Sequence, residues 1–161
     1  MSCLVCERIE WIKKGENPYF VCELETGYVV LGDFQRFKGY TIFLCKEHVQ
    51  ELHELPRDFK MKYLEEMSLV AEAVFKAYQP DKLNYELLGN GDSHMHFHIF
   101  PRRAGDLGKY GNKGRGPVWW LPREEMYHEK YKLGAMELNQ EVKRVRNEIL
   151  QLISKKEGTQ E

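Results

Sequence analysis

The 161-residue sequence predicts an α+β domain in which helices pack on an antiparallel sheet. Short apolar runs bounded by turn residues predict the strands of that sheet. Residues 57–78 contain no glycine or proline and carry apolar side chains at helical spacing, which predicts one long helix between Pro56 and Pro80. The resulting order of strands, helix, strands and helix is typical of the α+β class.

Each remaining element follows from its local pattern. We expect five strands, at residues 19–22, 28–31, 40–45, 83–88 and 94–100. The turn-forming segment 89–93 joins the last two strands in a hairpin, and the glycine-rich segment 104–116 predicts a mobile loop. An amphipathic helix over about 136–153 closes a single domain at residues 1–154, with a frayed tail at 155–161.

The charge balance gives no global argument for a nucleic-acid or membrane partner, because 24 basic residues face 25 acidic ones. No apolar run approaches the length of a membrane span, and the N-terminus lacks a signal-peptide core. We therefore expect a soluble cytoplasmic protein with no membrane partner and no stable nucleic-acid partner. Only the segment 102–115, with five basic residues against Asp106, is a candidate for meeting an anion.

The most informative segment is 94–100, which reads His-Met-His-Phe-His-Ile-Phe. Its strict alternation predicts a half-buried strand with the apolar residues facing a core and the three imidazoles sharing the other face. A neutral imidazole supplies a nitrogen nucleophile or a metal-binding lone pair. The face that carries His94, His96 and His98 is therefore a candidate reaction centre.

The alternation leaves three interpretations open. His94 and His96 together can ligate one metal, as in a mononuclear metal hydrolase, whereas His94 and His98 lie roughly 13 Å apart along a strand and cannot share an ion. In the second interpretation His96 is a nucleophile and its neighbours position the substrate. In the third, the histidines are only polar residues on a solvated face of the sheet.

The N-terminal Cys3-x-x-Cys6 is a second candidate site. Alone, this motif is ambiguous between zinc, redox chemistry and coincidence. A thioredoxin-like redox motif would follow a strand and open a helix, whereas this one begins the chain, and we therefore favour metal binding.

Residues 94–100 match the signature of the histidine triad (HIT) family, His-φ-His-φ-His-φ-φ with φ apolar. The resemblance extends to segments 39–49 and 84–90 and to the N-terminal cysteine pair, and it covers about residues 3–103. It implies a HIT-like antiparallel sheet of about five strands with one long central helix and a C-terminal helix. It also implies a homodimer.

The resemblance further implies a nucleotide hydrolase or nucleotidyl transferase. The middle histidine, here His96, would attack the α-phosphorus of a nucleoside phosphate and form a covalent nucleotidyl-histidine. The implied substrates are dinucleoside polyphosphates, such as diadenosine polyphosphates, or nucleoside phosphoramidates. His98 would contact phosphate oxygens or protonate the leaving group, and a backbone carbonyl would fix the tautomer of His96.

The same resemblance assigns substrate-binding roles. Asp33 would accept hydrogen bonds from ribose hydroxyls, and Asn90 and Ser93 would donate to phosphoryl oxygens, although all three are also ordinary turn residues. Trp119 would stack on a base or close the cleft, unless it serves only in packing. Tyr40 stands where many members have another histidine, so a nucleotide-binding or sensor module with incidental turnover remains an alternative.

Finally, the resemblance implies a structural zinc ion. The matching ligands are Cys3, Cys6, His48 and His94, with His53 as a possible substitute for His48. Two cysteines and two histidines complete a closed tetrahedral site with no position left for water.

Overall fold

A computed structural model describes residues 3–158, which contain a five-stranded antiparallel sheet. The strands are β1 (Phe20–Glu23), β2 (Gly27–Leu31), β3 (Thr41–Cys45), β4 (Lys82–Glu86) and β5 (His96–Arg102). Their order across the sheet is β1-β2-β3-β5-β4, and every neighbouring pair is antiparallel. The predicted α+β class and its five antiparallel strands are confirmed.

The described helices are α1 (Leu4–Lys13), α2 (Arg57–Tyr78), α3 (Arg123–Met126) and α4 (Ala135–Gly158), with single 3₁₀ turns at Leu52–Glu54, Val118–Trp120 and Glu129–Tyr131. Helix α2 begins and ends where the flanking prolines predict. Helix α1 was not predicted. Within residues 3–158, none of the helices combines the length and the apolar character that a membrane span requires.

One face of the sheet carries the main hydrophobic core, which α2 and α4 cover. Phe43 of β3 and Ile99 of β5 are fully buried on this face, as the alternation in residues 94–100 predicts. Tyr63 of α2 stacks on Phe43 with ring centroids 4.9 Å apart and donates a hydrogen bond to the Phe43 carbonyl oxygen. The packing of α2 and α4 on this face therefore keeps the strands rigid.

The opposite face is covered only at its two ends. Helix α1 packs the buried Val5, Ile9 and Ile12 on the end formed by β2 and β3. The glycine-rich segment packs on the other end, where Leu107 is fully buried in a cluster with Phe100. This segment is thus anchored, in contrast to the mobile loop that its composition predicts. The middle of the face is left for the polar side chains of β5.

Several boundaries differ from the prediction; for example, β4 ends at Glu86 rather than at residue 88. Strand β5 begins at His96 rather than at residue 94: the N–H of Met95 donates to the Val49 carbonyl, while its carbonyl accepts from the N–H of Cys45 in β3. Helix α4 continues to Gly158, so residues 155–158 of the expected frayed tail are helical. The rest of that tail, residues 159–161, lies outside the described residues.

Candidate active site

A cleft of about 410 Å³ lies between α1 and the segment around Trp119. Its floor includes His96 and His98 of β5 together with Ile42 of β3, since Ile42 pairs with His98 in the sheet. Residues 89–92 form part of its rim. This volume is within the range of small-molecule sites. A larger hollow of about 660 Å³ lies beside β4, but it contains none of the triad histidines.

The tautomer of His96 is set by the backbone. Its Nδ1 lies 2.7 Å from the carbonyl oxygen of His94, which can only accept a hydrogen bond. Nδ1 therefore carries the proton, and Nε2 of the neutral ring keeps its lone pair. The ring is partly exposed in the cleft. This histidine thus presents a nucleophilic nitrogen from a rigid strand.

His98 has the opposite pattern of protonation. Its Nδ1 lies 2.6 Å from the Tyr40 hydroxyl. Burial, reinforced by the nearby His96, lowers the pKa of His98 to about 4, and burial raises the pKa of Tyr40 well above its usual value. Both groups are therefore neutral at neutral pH. Among residues 3–158, Nδ1 of His98 is the one hydrogen-bond partner of the Tyr40 hydroxyl, so the hydroxyl donates a hydrogen bond to Nδ1, and the remaining nitrogen, Nε2, carries a hydrogen that it can donate.

The N-terminal cysteines meet two histidines in a compact cluster. One ligand atom from each of Cys3, Cys6, His48 and His94 lies within 4.8 Å of the others. The Nδ1 atom of His94 is 3.5 Å from the Cys3 sulfur and 3.4 Å from the Cys6 sulfur, and the His48 Nδ1 is 3.1 Å from the Cys6 sulfur. Ligands of a tetrahedral zinc ion lie about 3.5 Å apart, so the spacing fits. His53 does not belong to the cluster.

The orientation of His94 also suits a metal ligand. Its Nε2 lies 2.8 Å from the carbonyl oxygen of Cys45, so Nε2 carries the proton and Nδ1 directs a free lone pair at the two sulfurs. A hydrogen bond of this kind to the second ring nitrogen is a regular feature of metal-binding histidines. His94 and His96 therefore belong to different groups of residues, although only two positions separate them.

The predicted substrate-binding residues are only partly brought together. Asp33 and Asn90 line the cleft, whereas Ser93 is exposed and is not part of its lining. Asp33 also forms a two-pronged ion pair with Arg8 of α1, at 2.9 and 2.6 Å. Arg8 was not predicted, because a single arginine on an unpredicted helix belongs to no motif.

Trp119 lines the cleft of its own chain. Its indole stands edge-on to His98 and Phe100, with ring centroids 6.4 and 6.0 Å away, and its Nε1 donates to a Glu86 carboxylate oxygen at 2.5 Å. Burial raises the pKa of Glu86, which this hydrogen bond partly opposes. Tyr127 completes the wall. Sequence reasoning missed both Glu86 and Tyr127.

The basic residues of segment 102–115 do not line the cleft. Arg102 is nearly buried, and its guanidinium gives two hydrogen bonds of 2.7 Å to Asp106 and two more to Asn84 and the Gly116 carbonyl. All of its nitrogens are thus used in holding the glycine-rich segment to the sheet.

Known proteins are similar to this chain in sequence. An uncharacterised HIT-like protein of Methanocaldococcus jannaschii is 28% identical over 109 residues, which cover 65% of this chain and 81% of the relative. An adenosine 5′-monophosphoramidase of Saccharomyces cerevisiae is 29% identical over 109 residues, which cover 63% of each chain.

Solved structures extend the comparison. A histidine triad protein of Sinorhizobium meliloti superposes with a TM-score of 0.67 at 23% identity, covering 80% of this chain and 87% of the other. A zinc-bound histidine triad family protein of Mycobacterium smegmatis gives 0.61 at 20% identity, covering 96% and 97%. The HIT domain family model matches residues 14–105, more than half of the chain. The chain therefore belongs to the HIT family.

Proposed function

We propose that the protein is a cytoplasmic nucleotide hydrolase or nucleotidyl transferase that cleaves a nucleoside phosphate at its α-phosphorus through a covalent intermediate on His96. The observation that carries this proposal is the hydrogen bond from His96 Nδ1 to the His94 carbonyl oxygen, which leaves Nε2 unprotonated in a cleft of suitable size. The yeast relative acts on adenosine 5′-monophosphoramidate, as its name states, and this supports a nucleoside phosphoramidate as substrate. Dinucleoside polyphosphates are the second candidate substrate class.

In the first step, Nε2 of His96 attacks the α-phosphorus, and the bond from phosphorus to the leaving group breaks. The N–H at Nε2 of His98 donates a hydrogen bond to the leaving group, which takes its proton from water as the bond breaks. The imidazole, now bonded to phosphorus, carries positive charge, which the carbonyl oxygen of His94 stabilises at Nδ1.

In the second step, water attacks the same phosphorus, and the bond to His96 Nε2 breaks with its electron pair returning to the ring. The proton released by the attacking water passes to solvent, and the N–H at Nε2 of His98 is retained for another cycle. If another acceptor replaces water, the same step transfers the nucleotidyl group.

The cleft offers recognition groups for the rest of the nucleotide. Asp33 would accept hydrogen bonds from ribose hydroxyls, Asn90 would donate to phosphoryl oxygens from the rim, and Trp119 would stack on an aromatic group or close the cleft. We assign no substrate contact to Ser93, because it lies outside the lining.

The direct test is to trap the intermediate. The protein is mixed with adenosine 5′-monophosphoramidate or diadenosine tetraphosphate, quenched in alkali and digested for mass spectrometry. We expect an adenylyl group on the peptide that contains His96, and AMP as a product. His96→Ala should abolish both, whereas the exposed His53→Ala serves as a matched control with full activity. Normal turnover by His96→Ala would exclude His96 as the nucleophile.

We also propose that Cys3, Cys6, His48 and His94 hold a structural zinc ion. With four protein ligands the ion has no open position, and its contribution is to fix the start of α1 to the sheet. Cytoplasmic reducing conditions would keep the two thiols available as ligands. Metal analysis of purified protein should find about one zinc per chain, and the double variant Cys3→Ser/Cys6→Ser should lose it. Full zinc retention by that variant would refute the assignment.

The presence of Tyr40 favours one alternative, a nucleotide-binding module with incidental turnover. That alternative predicts tight AMP binding with negligible hydrolysis of every substrate tested. The other, a mononuclear metal hydrolase using His94 and His96, predicts that His96→Ala loses its metal. We expect that variant to keep its zinc, because the Nδ1 atom of His96 is bonded to a carbonyl.

A further inference from the structure

Helix α1 serves both the cysteine and histidine cluster and the nucleotide cleft. Cys3 and Cys6, at its start, point to His94, while Val5 and Arg8 line the cleft. Because one short helix carries both sets of residues, a change in how its first turn is held reaches the cleft without any intervening element.

The contact between α1 and the polar part of the cleft is the ion pair of Arg8 with Asp33. The two guanidinium nitrogens lie 2.9 and 2.6 Å from the two carboxylate oxygens, and both side chains are mostly shielded from solvent, at 22% and 28% exposure. A two-pronged pair of this kind fixes the plane of the carboxylate as well as its position.

The ion pair does not exhaust the carboxylate. Each oxygen of Asp33 has two lone-pair directions, and Arg8 uses one on each oxygen. The remaining directions can accept hydroxyl hydrogens. A carboxylate that is already held in place loses little conformational freedom when it binds such hydroxyls.

We infer that Arg8 is a positioning residue that holds Asp33 for recognition of the ribose hydroxyls. We also infer that the cysteine and histidine cluster, when it holds a metal ion, acts on nucleotide binding through Arg8. This inference rests on the proposed function, in which Asp33 binds ribose. It adds that selectivity for ribonucleotides over deoxyribonucleotides depends on Arg8 and on an occupied metal site.

A second contact of α1, with the rim of the cleft, does not account for selectivity between ribonucleotides and deoxyribonucleotides. The Leu4 N–H donates to an Asp92 carboxylate oxygen at 3.1 Å, which anchors the helix start to residues 89–92. Loss of this hydrogen bond would affect the part of the cleft near Asn90 and would weaken the binding of ribonucleotides and deoxyribonucleotides alike. The ratio of the two affinities therefore isolates the contribution of Arg8.

The test measures equilibrium binding of AMP and 2′-deoxy-AMP by calorimetry. In the zinc-loaded wild type we expect AMP to bind more tightly. Arg8→Gln should weaken AMP binding about tenfold and 2′-deoxy-AMP binding less, because 2′-deoxy-AMP presents only its 3′-hydroxyl to Asp33, and Arg8→Lys should restore part of the difference. Lys13→Gln is the matched control, because it removes a positive charge from the exposed end of the same helix. It should leave both affinities unchanged.

The metal arm uses the same two nucleotides with zinc-depleted protein. Depletion should reduce the AMP preference of the wild type to that of Arg8→Gln, and it should not reduce the preference of Arg8→Gln further. Because coupling between two binding sites is reciprocal, AMP should also slow the transfer of zinc to a chromogenic chelator in wild type but not in Arg8→Gln. Circular dichroism and zinc content verify that each variant is folded.

Two results would overturn the inference alone: an unchanged preference in Arg8→Gln, or an equal loss for both nucleotides. Tighter AMP binding by Arg8→Gln would also overturn it, because the ion pair would then block Asp33. In each case adenylylation of His96 would still support the proposed function. If the wild type binds neither nucleotide and forms no adduct, both proposals fail.

Discussion

Each histidine of the triad is given its role by one hydrogen-bond partner. The Cys45 carbonyl fixes His94 with a free Nδ1, the His94 carbonyl fixes His96 with a free Nε2, and the Tyr40 hydroxyl fixes His98 with a protonated Nε2. In the proposed function, one face of the sheet thereby presents a metal ligand, a nucleophile and a hydrogen-bond donor in sequence. The main chain of His94 also links the first two roles directly.

The tautomer of His98 should depend on Tyr40. Tyr40→Phe removes the donor to Nδ1, so both tautomers of His98 become populated and fewer molecules offer an N–H at Nε2 to the leaving group. We expect the rate of adduct formation to fall about tenfold. Nitrogen-15 NMR of the imidazoles should report the mixed tautomers. Tyr40→His, which restores an N–H donor, should recover activity, and an unchanged His98 spectrum in Tyr40→Phe would contradict this role.

Burial of His98 should also make stability depend on pH. The unfolded chain binds a proton near pH 6.5, whereas the folded protein does so only near pH 4. The contribution of His98 to the free energy of unfolding is therefore fully present above pH 6.5 and is lost as the pH falls towards 4. We expect wild type to lose about 2 kcal/mol more stability between pH 7 and pH 5 than His98→Gln, measured by urea unfolding. Parallel pH profiles would show that His98 is not desolvated.

At the residue scale, the alternation in segment 94–100 predicted which side chains share a face, because the period of a strand is fixed by its geometry. It did not predict how their roles divide, since His94 and His98 are paired with Cys45 and Tyr40, about 50 positions earlier in the sequence. Arg8 was missed for the same reason. Its partner is 25 residues away, and no local pattern joins them.

Among the elements, the glycine-rich segment is held by the pair of Arg102 and Asp106. Burial disfavours ionisation of Asp106, but hydrogen bonds from Arg102 and from the Arg103 amide hold its pKa below the usual value. Asp106→Asn should therefore destabilise the protein by about 3 kcal/mol, because it leaves a nearly buried guanidinium without a counter-charge. Urea unfolding measures this loss.

A matched control is Lys113→Gln, which removes a charge from the exposed part of the same segment. It should change the free energy of unfolding by less than about 0.5 kcal/mol. If Asp106→Asn were equally mild, the ion pair would not be the anchor of this segment.

The ends of an element were predictable where proline residues flank it. Helix α2 lies between two prolines and begins and ends as predicted. Helix α1 was not predicted, because it has only 10 residues and its helical pattern rests on three buried positions, Val5, Ile9 and Ile12. The anchoring of segment 104–116 was not predictable, since the burial of Leu107 depends on packing between elements distant in sequence.

In the whole molecule, the sheet separates a core layer of α2 and α4 from a site layer, which consists of α1 and the segment between β5 and α4. We propose that both layers unfold together as one domain, because β3 and β5 contribute side chains to each face. Trp11, Trp119 and Trp120 report on the site layer by fluorescence, and α2 and α4 dominate far-ultraviolet circular dichroism. The two signals should give the same urea midpoint. An earlier fluorescence transition would show that the site layer unfolds independently.

The β4 edge of the sheet is a candidate dimer interface. Strand β4 is an edge strand, and Tyr85 on it is 49% exposed, with the exposed Leu87 and Leu88 next in sequence. Because a free apolar edge favours pairing with another strand, we propose a homodimer in which two β4 edges meet around a two-fold axis.

Light scattering should therefore give twice the chain mass of 19.1 kDa. Tyr85→Lys places a charge opposite its own copy or close to it and should produce monomers, because a lysine on an edge strand opposes pairing. The matched control, Met136→Lys, alters an exposed apolar residue on α4 and should remain dimeric. A monomeric wild type would exclude the dimer, and a dimeric Tyr85→Lys would move the interface away from β4.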